Sequence, residues 1–155
     1  VGELDDTILE VRSTIFALHE GRADEPTGLR GRVLHELAQA AHSLGYEPTI
    51  RFDGPIDSVV PDDVAEHVIA AVREALSNVA RHAKATWARV SLSVDDTDVV
   101  LIVTDNGVGL NHERGRRSGL ANLTSRAERL GGSCRTEPAE PTGGGTRLIW
   151  RAPAR

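Results

Sequence analysis

Two pairs of strand-like runs, each joined by a short connection, limit this chain more than any other feature. Ala88 to Val94 sets Ala88, Val90, Leu92 and Val94 against Arg89, Ser91 and Ser93, the alternation of a half-buried strand. A polar turn, Asp95 to Asp98, leads into Val99 to Thr104. That continuous aliphatic and β-branched run reads as a central strand covered on both faces. The second pair, Ser133 to Glu137 and Thr146 to Ala152, flanks a Pro/Gly-rich connection. Neither connection has room for a crossover helix, so both pairs must run antiparallel. A fifth strand is expected over Pro48 to Asp53, ended by Gly54-Pro55.

The remaining periodic segments are helical. Leu29, Val33, Leu34, Leu37, Ala38, Ala41 and Leu44 share one apolar face, closed by Gly45. A second helix opens around Pro61-Asp62-Asp63, where Pro and acidic residues suit a first turn. It runs to about Ala83 with Val64, Val68, Val72, Leu76, Val79 and Ala83 as its dry stripe. A third occupies Ser118 to Leu130 and is stopped by Gly131-Gly132. Helices segregated from a largely antiparallel set of strands predict an α+β two-layer sandwich over residues 28–155. Ahead of it, Leu4, Ile8, Val11, Ile15 and Leu18 follow the 4-3-4-3 spacing of a bundle seam. Residues 1–22 are expected to be one helix of a dimerisation bundle, the alternative being an ordinary amphipathic helix packed on its own domain, joined by the polar hinge Gly21 to Gly28.

Composition removes several function classes. A net charge of -5 and a pI near 5.7 disfavour general nucleic-acid binding. No apolar run approaches the ~20 residues that span a bilayer, and no signal peptide is expected. A lone Cys134 permits neither an intrachain disulfide nor a thiolate metal cluster. Cytoplasmic placement is the expectation. The chain has no Met, so it reads as a piece of a longer protein.

Four short segments carry chemistry. On the second helix, Glu74, Asn78 and Arg81 are expected within about 60° of one another, with His82 beside them and the apolar stripe opposite. An Asn carbonyl suits Mg²⁺, which favours hard oxygens and keeps several waters while binding phosphates. Glu74 could hold a metal-bound water or accept a proton, and His82 and Lys84, the only lysine, could face phosphate oxygens. In Asp105 to Gly109 (DNGVG) a strand delivers a carboxylate into a two-glycine turn, where it can accept the exocyclic amino group of adenine. The same residues also suit an ordinary hairpin turn. Ser118-Gly119-Leu120 opens the third helix, whose free N–H groups suit phosphate, with Arg116 and Arg117 adjacent. Gly143 to Thr146 (GGGT) enters the last strand and, taken alone, reads as a flexible loop. Neither a dinucleotide fingerprint nor a Walker A loop is present.

Together these segments resemble the ATP-binding domain shared by gyrase-type ATPases, Hsp90-type chaperones, sensor histidine kinases and MutL-type proteins, the Bergerat or GHKL fold. The resemblance covers about residues 28–152. It implies that Glu74 and Asn78 form an N box, Asp105, Gly107 and Gly109 a G1 box, Gly119 with Leu120 a G2 box, and Gly143 to Thr146 the final Gly-Thr element. Asp105 would then read adenine, Thr146 support a water beside it, Asn78 hold Mg²⁺ and Glu74 assist transfer. Residues 74–85 (EALSNVARHAKA) and 119–132 (GLANLTSRAERLGG) resemble the nitrate-sensor subgroup of sensor histidine kinases. Asp5 to Leu18 is similar, more narrowly, to haem-based dormancy and oxygen-sensor kinases of the DosS/DosT type.

The resemblance implies a two-component catalytic domain that presents the ATP γ-phosphate to a phosphoacceptor His outside this chain. The full-length protein would be a homodimer serving a response regulator. The segment Leu110 to Ser118 is short for an ATP lid and contains no Phe. His35, in LHELAQ, is a decoy, because two residues rather than three separate its acidic neighbour Glu36 from Gln39; His19, His42, His67 and His112 are expected at the surface. The fragment is thus expected to bind ATP without phosphorylating itself. The alternative is an anti-sigma-factor-type GHKL Ser/Thr kinase, which would not need the heptad helix.

Overall fold

The computed structural model describes residues 28–109, 114–141 and 144–154, with the side chains of 114–118 outside that description. The expected bundle helix of residues 1–22 therefore lies outside the described residues, as do His19, His112 and Gly143. Helix α1 (Leu29–Leu44) ends on Gly45 in a left-handed conformation, φ 80°. It leads into β1 (Thr49–Asp53), a single turn α2 (Ile56–Val59) and the long α3 (Asp62–Asn78). Strands β2 (Ala88–Val94) and β3 (Asp98–Asp105) precede α4 (Arg114–Arg129), β4 (Ser133–Pro138) and β5 (Thr146–Pro153).

The five strands form one sheet in the order β1-β2-β3-β5-β4. The two hairpins are antiparallel, as are β3 and β5, while β1 pairs with β2 in parallel after the crossover through α2 and α3. Helices and sheet enclose one core. The predicted stripe of α3 is fully inside, with Val64, Val68, Val72, Leu76, Val79 and Ala83 all buried. Trp150 on β5 has no exposed surface, and its indole N–H donates to the Leu123 carbonyl of α4 at 3.1 Å. The Arg32–Glu66 pair at 2.7 Å and the Arg73–Glu36 pair at 2.6 Å link α1 to α3 at the surface, where solvent makes such pairs worth little. Among the described residues no helix is long and apolar enough to cross a membrane.

Three local expectations need correction. Strand β3 is central by pairing, but only Val99, Leu101, Val103 and Asp105 are buried; Val100, Ile102 and Thr104 are half-buried. In a two-layer sandwich the helices cover one face, so a continuous apolar run does not require a second cover. Helix α3 does not continue as an α-helix to Ala83, because Val79–Ala83 is a π-turn. Helix α4 begins at Arg114, four residues before the expected start.

Candidate functional site

Two polar side chains are buried among the described residues, Asp105 and Thr146, and they face each other across the β3–β5 ladder. Burying a carboxylate is costly unless its acceptors are used. Asp105 accepts the Gly107 N–H at 2.8 Å on Oδ1. The alternation of β3, which points 99, 101 and 103 into the core, dictates that 105 follows them inward. A hydrophobic pattern thus carries an acid to the end of a core strand.

The turn after Asp105 is clamped to the end of α3. Val108 N–H donates to the Ala83 carbonyl at 2.7 Å. A side chain at Gly107 would collide with that carbonyl, so the close approach needs glycine there. Asn106, whose sequence setting suggests turn chemistry alone, accepts from the N–H groups of Thr86 and Trp87 at 2.9 and 3.0 Å and donates to Thr86 Oγ1 at 2.8 Å. Gly145 N–H donates to the Gly107 carbonyl at 3.0 Å and fixes the start of β5. Three chain segments distant in sequence are thereby tied together at one end of the sheet's inner strands.

Asn78 is the last residue of α3, and its Nδ2 is buried without a hydrogen-bond partner among the described residues. Glu74, one turn earlier, is half-buried. Helix α4 meets both through Gly119: a Cβ there would stand 2.6 Å from Glu74 Oε1 and 2.7 Å from Asn78 Oδ1. Because α4 starts at Arg114, the backbone N–H groups of Gly119 and Leu120 lie beyond the four that a helix leaves free. Gly119 therefore acts by closeness, not as an exposed helix N-terminus.

Asn78, Asp105, Leu120 and Thr146 line one cleft together with Ala75, Val79, Val103, Thr136 and Leu148. Its volume is about 20 Å³, room for a water and not for a purine ring. Gly107 and buried Gly109 form the adjoining turn. Two predicted residues stand apart from this cleft. His82 lies half-buried in the π-turn, and Lys84 is exposed with φ 51°. Arg81 is also displaced: a π-turn rotates less per residue than an α-helix, and Arg81 instead lines an open groove of about 590 Å³ between α1 and α3. His35 lines the same groove. His67 is half-buried, not superficial, with Nδ1 unpartnered among the described residues.

Other titratable groups are accounted for by structure. Burial pushes the Cys134 thiol up, consistent with the expected half-buried strand residue and unfavourable to thiolate chemistry. Among the described residues no group of three or more His, Cys, Asp or Glu could hold a metal ion.

Comparison with known proteins shows the family and the fold. Residues 63–155 match the family described as histidine kinase-, DNA gyrase B- and HSP90-like ATPase. The nitrate/nitrite sensor protein NarX of Escherichia coli K12 is 32% identical over 124 residues, covering 79% of this chain and 20% of NarX. The sensor histidine kinase NarS of Mycobacterium tuberculosis is 35% identical over 128 residues, again 79% of this chain and 29% of NarS. The chain thus spans less than a third of either relative. Among solved structures, the catalytic domain of histidine kinase ThkA superposes with a TM-score of 0.63 at 15% identity, covering 83% of this chain and 95% of that one. The mycobacterial sensor histidine kinase MprB gives 0.60 at 20% identity, covering 84% and 99%.

Proposed function

This chain belongs to the histidine kinase-, DNA gyrase B- and HSP90-like ATPase family, and on that premise we propose that it is the ATP-binding catalytic domain of a two-component sensor histidine kinase. One observation carries the reading: a buried carboxylate, Asp105, shares a cleft with Asn78 and Thr146 at the end of a core strand. A buried acid accepts hydrogen bonds and offers none when ionised, so in a pose that points C6 at it the acid favours adenine, whose C6 amino group donates where guanine carries a carbonyl oxygen. Thr146, opposite, supplies a hydroxyl that can bind a water beside the base.

The residues at the cleft mouth suit Mg²⁺ arriving with the nucleotide. An amide oxygen and a carboxylate, Asn78 and Glu74, are hard donors too few for a closed cage, as expected for a cation that completes its shell with waters and phosphates. The unpartnered Asn78 Nδ2 is a donor available to a phosphate oxygen. Within that arrangement Asn78 would hold the cation and Glu74 the water or proton at the transferring group. Phosphoryl transfer then depends on positioning and electrostatics. His82 and Lys84 would serve only if the phosphates extend past the cleft toward the π-turn. Because the cleft is narrow, the base enters by displacing a wall, and Leu120 on α4 is the wall beside Asn78.

The γ-phosphate acceptor is proposed to be a His on a bundle domain outside this chain, in a homodimer that serves a response regulator. The described fragment would therefore bind ATP and not phosphorylate itself. The narrower oxygen-sensing reading rests on the resemblance of residues 5–18, outside the described residues. Calorimetry with ATP and GTP, each with and without Mg²⁺, tests the central claim. Equal affinity for both purines removes it.

A further inference from the structure

Tyr46 is the only tyrosine in the chain, and the function described above gives it no task. Its hydroxyl is buried and has no hydrogen-bond partner among the described residues. Folded proteins rarely leave such a group unmatched. Its ring packs against the core, so the phenol is an inward-facing group and not a surface ornament.

Its location follows from chain geometry. Gly45 ends α1 in a left-handed turn and sends the chain back toward the sheet. Thr49 then pairs with Arg89, and the neighbouring Ala88 pairs with Asp105. The segment 46–48 therefore enters at the end of the sheet where Asp105 closes β3. The phenol feels that carboxylate: burial raises its pKa first, and the charge of Asp105 raises it further.

We propose that Tyr46 is a positioning residue for Asp105, its hydroxyl donating through a bridging water to the carboxylate and holding it in the orientation that reads adenine. The inference rests on the adenine reading of Asp105. A carboxylate offers about four acceptor sites, so accepting the Gly107 N–H at 2.8 Å is compatible with a water and a base amino group as well. Ordered water commonly completes buried polar groups of this kind. Tyr46 would touch neither the nucleotide nor the cation.

The test is a double-mutant cycle on nucleotide affinity with Tyr46→Phe, Asp105→Asn and both together, measured by calorimetry with MgATP and MgADP. Phe keeps the ring and its packing, and thermal melting of each variant checks the fold. Tyr46→Phe should weaken ATP and ADP by the same factor, roughly threefold to tenfold, as a neutral hydrogen bond at the base end predicts. On the Asp105→Asn background the same change should cost less than about twofold, because the coupled partner is already lost. Equal losses on both backgrounds, or no loss from Tyr46→Phe beside a normal loss from Asp105→Asn, overturn the Tyr46 role alone. Unchanged binding in Asp105→Asn overturns the adenine reading and this inference with it.

Discussion

Gly119 and Asn78 are so close that a single methyl group at 119 would stand 2.7 Å from Asn78 Oδ1. The backbone of helix α4 is thereby pressed against the polar side chains at the end of α3, with no side chain of its own at that point. This contact sets two effects against each other. Replacing an interior helical glycine with Ala favours the helix by about 1 kcal/mol. The atoms in the way are the ends of two side chains, Glu74 and Asn78, which can swing aside.

Gly119→Ala should consequently separate stability from function. The melting temperature should hold or rise, while Mg²⁺-dependent ATP affinity falls at least about tenfold, or roughly 1.4 kcal/mol, because both displaced groups serve the site. Calorimetry and thermal melting on the same preparation check this. A variant that binds normally would remove Glu74 and Asn78 from the reading.

Asp105→Asn should weaken ATP binding by roughly 1.5–3 kcal/mol, the worth of a hydrogen bond to a charged group, or about 10- to 150-fold. GTP affinity should change little, so discrimination between the purines narrows. Competitive titration of both nucleotides measures it.

Asn78→Ala should abolish the part of ATP binding that depends on Mg²⁺ and leave the metal-independent part near its starting value. The comparison is ATP affinity with Mg²⁺ and with chelator, variant against parent. Retained metal dependence would place the cation elsewhere.

Asp95 predicts an acid dependence remote from the site. Its carboxylate accepts from the Asp98 N–H at 2.7 Å, the Thr97 N–H at 2.8 Å and the Thr97 hydroxyl at 3.1 Å, closing the β2–β3 turn. These bonds, that of Asp98 first, hold its pKa below the usual carboxylate value. The unfolded state then binds the proton more readily, so this contribution is full above the ordinary value and disappears as pH falls through the lowered one. Asp95→Asn should flatten the fall in melting temperature below about pH 4. An acid limb identical to the parent's would assign that limb to other groups.

Much of the fold was legible because its signals are local and repeated. The alternation of 88–94 and the stripe from Val64 to Ala83 each specify which side chains turn inward, and all of those named are buried. Gly45 marked a helix end for a conformational reason, and its φ of 80° is the conformation that glycine tolerates. The π-turn was not legible, since nothing in VARHA departs from helical composition, and with it went the placement of Arg81. The start of α4 was misread because Gly119 resembles a boundary, whereas its lack of a side chain serves contact with α3.

The candidate site was legible where one residue type does one task. Asp105, Asn78, Leu120 and Thr146 line a common cleft, and Glu74 adjoins it through Gly119. Asn106 was read as turn chemistry, yet its amide bridges to residues 86 and 87, a partnership that depends on tertiary approach. Tyr46 gave no periodic signal. Its nearness to Asp105 arises from parallel pairing of β1 with β2 across a crossover, information that no local window contains.

The register that sets Asp105 against Thr146 has a consequence for synthesis. A ribosome makes Asp105 long before its partner, and the opposing wall arrives only when the final strand has left the exit tunnel. A nascent chain stalled before that strand should therefore be blind to nucleotide, and any help that ATP gives to maturation must come after translation of this region is complete.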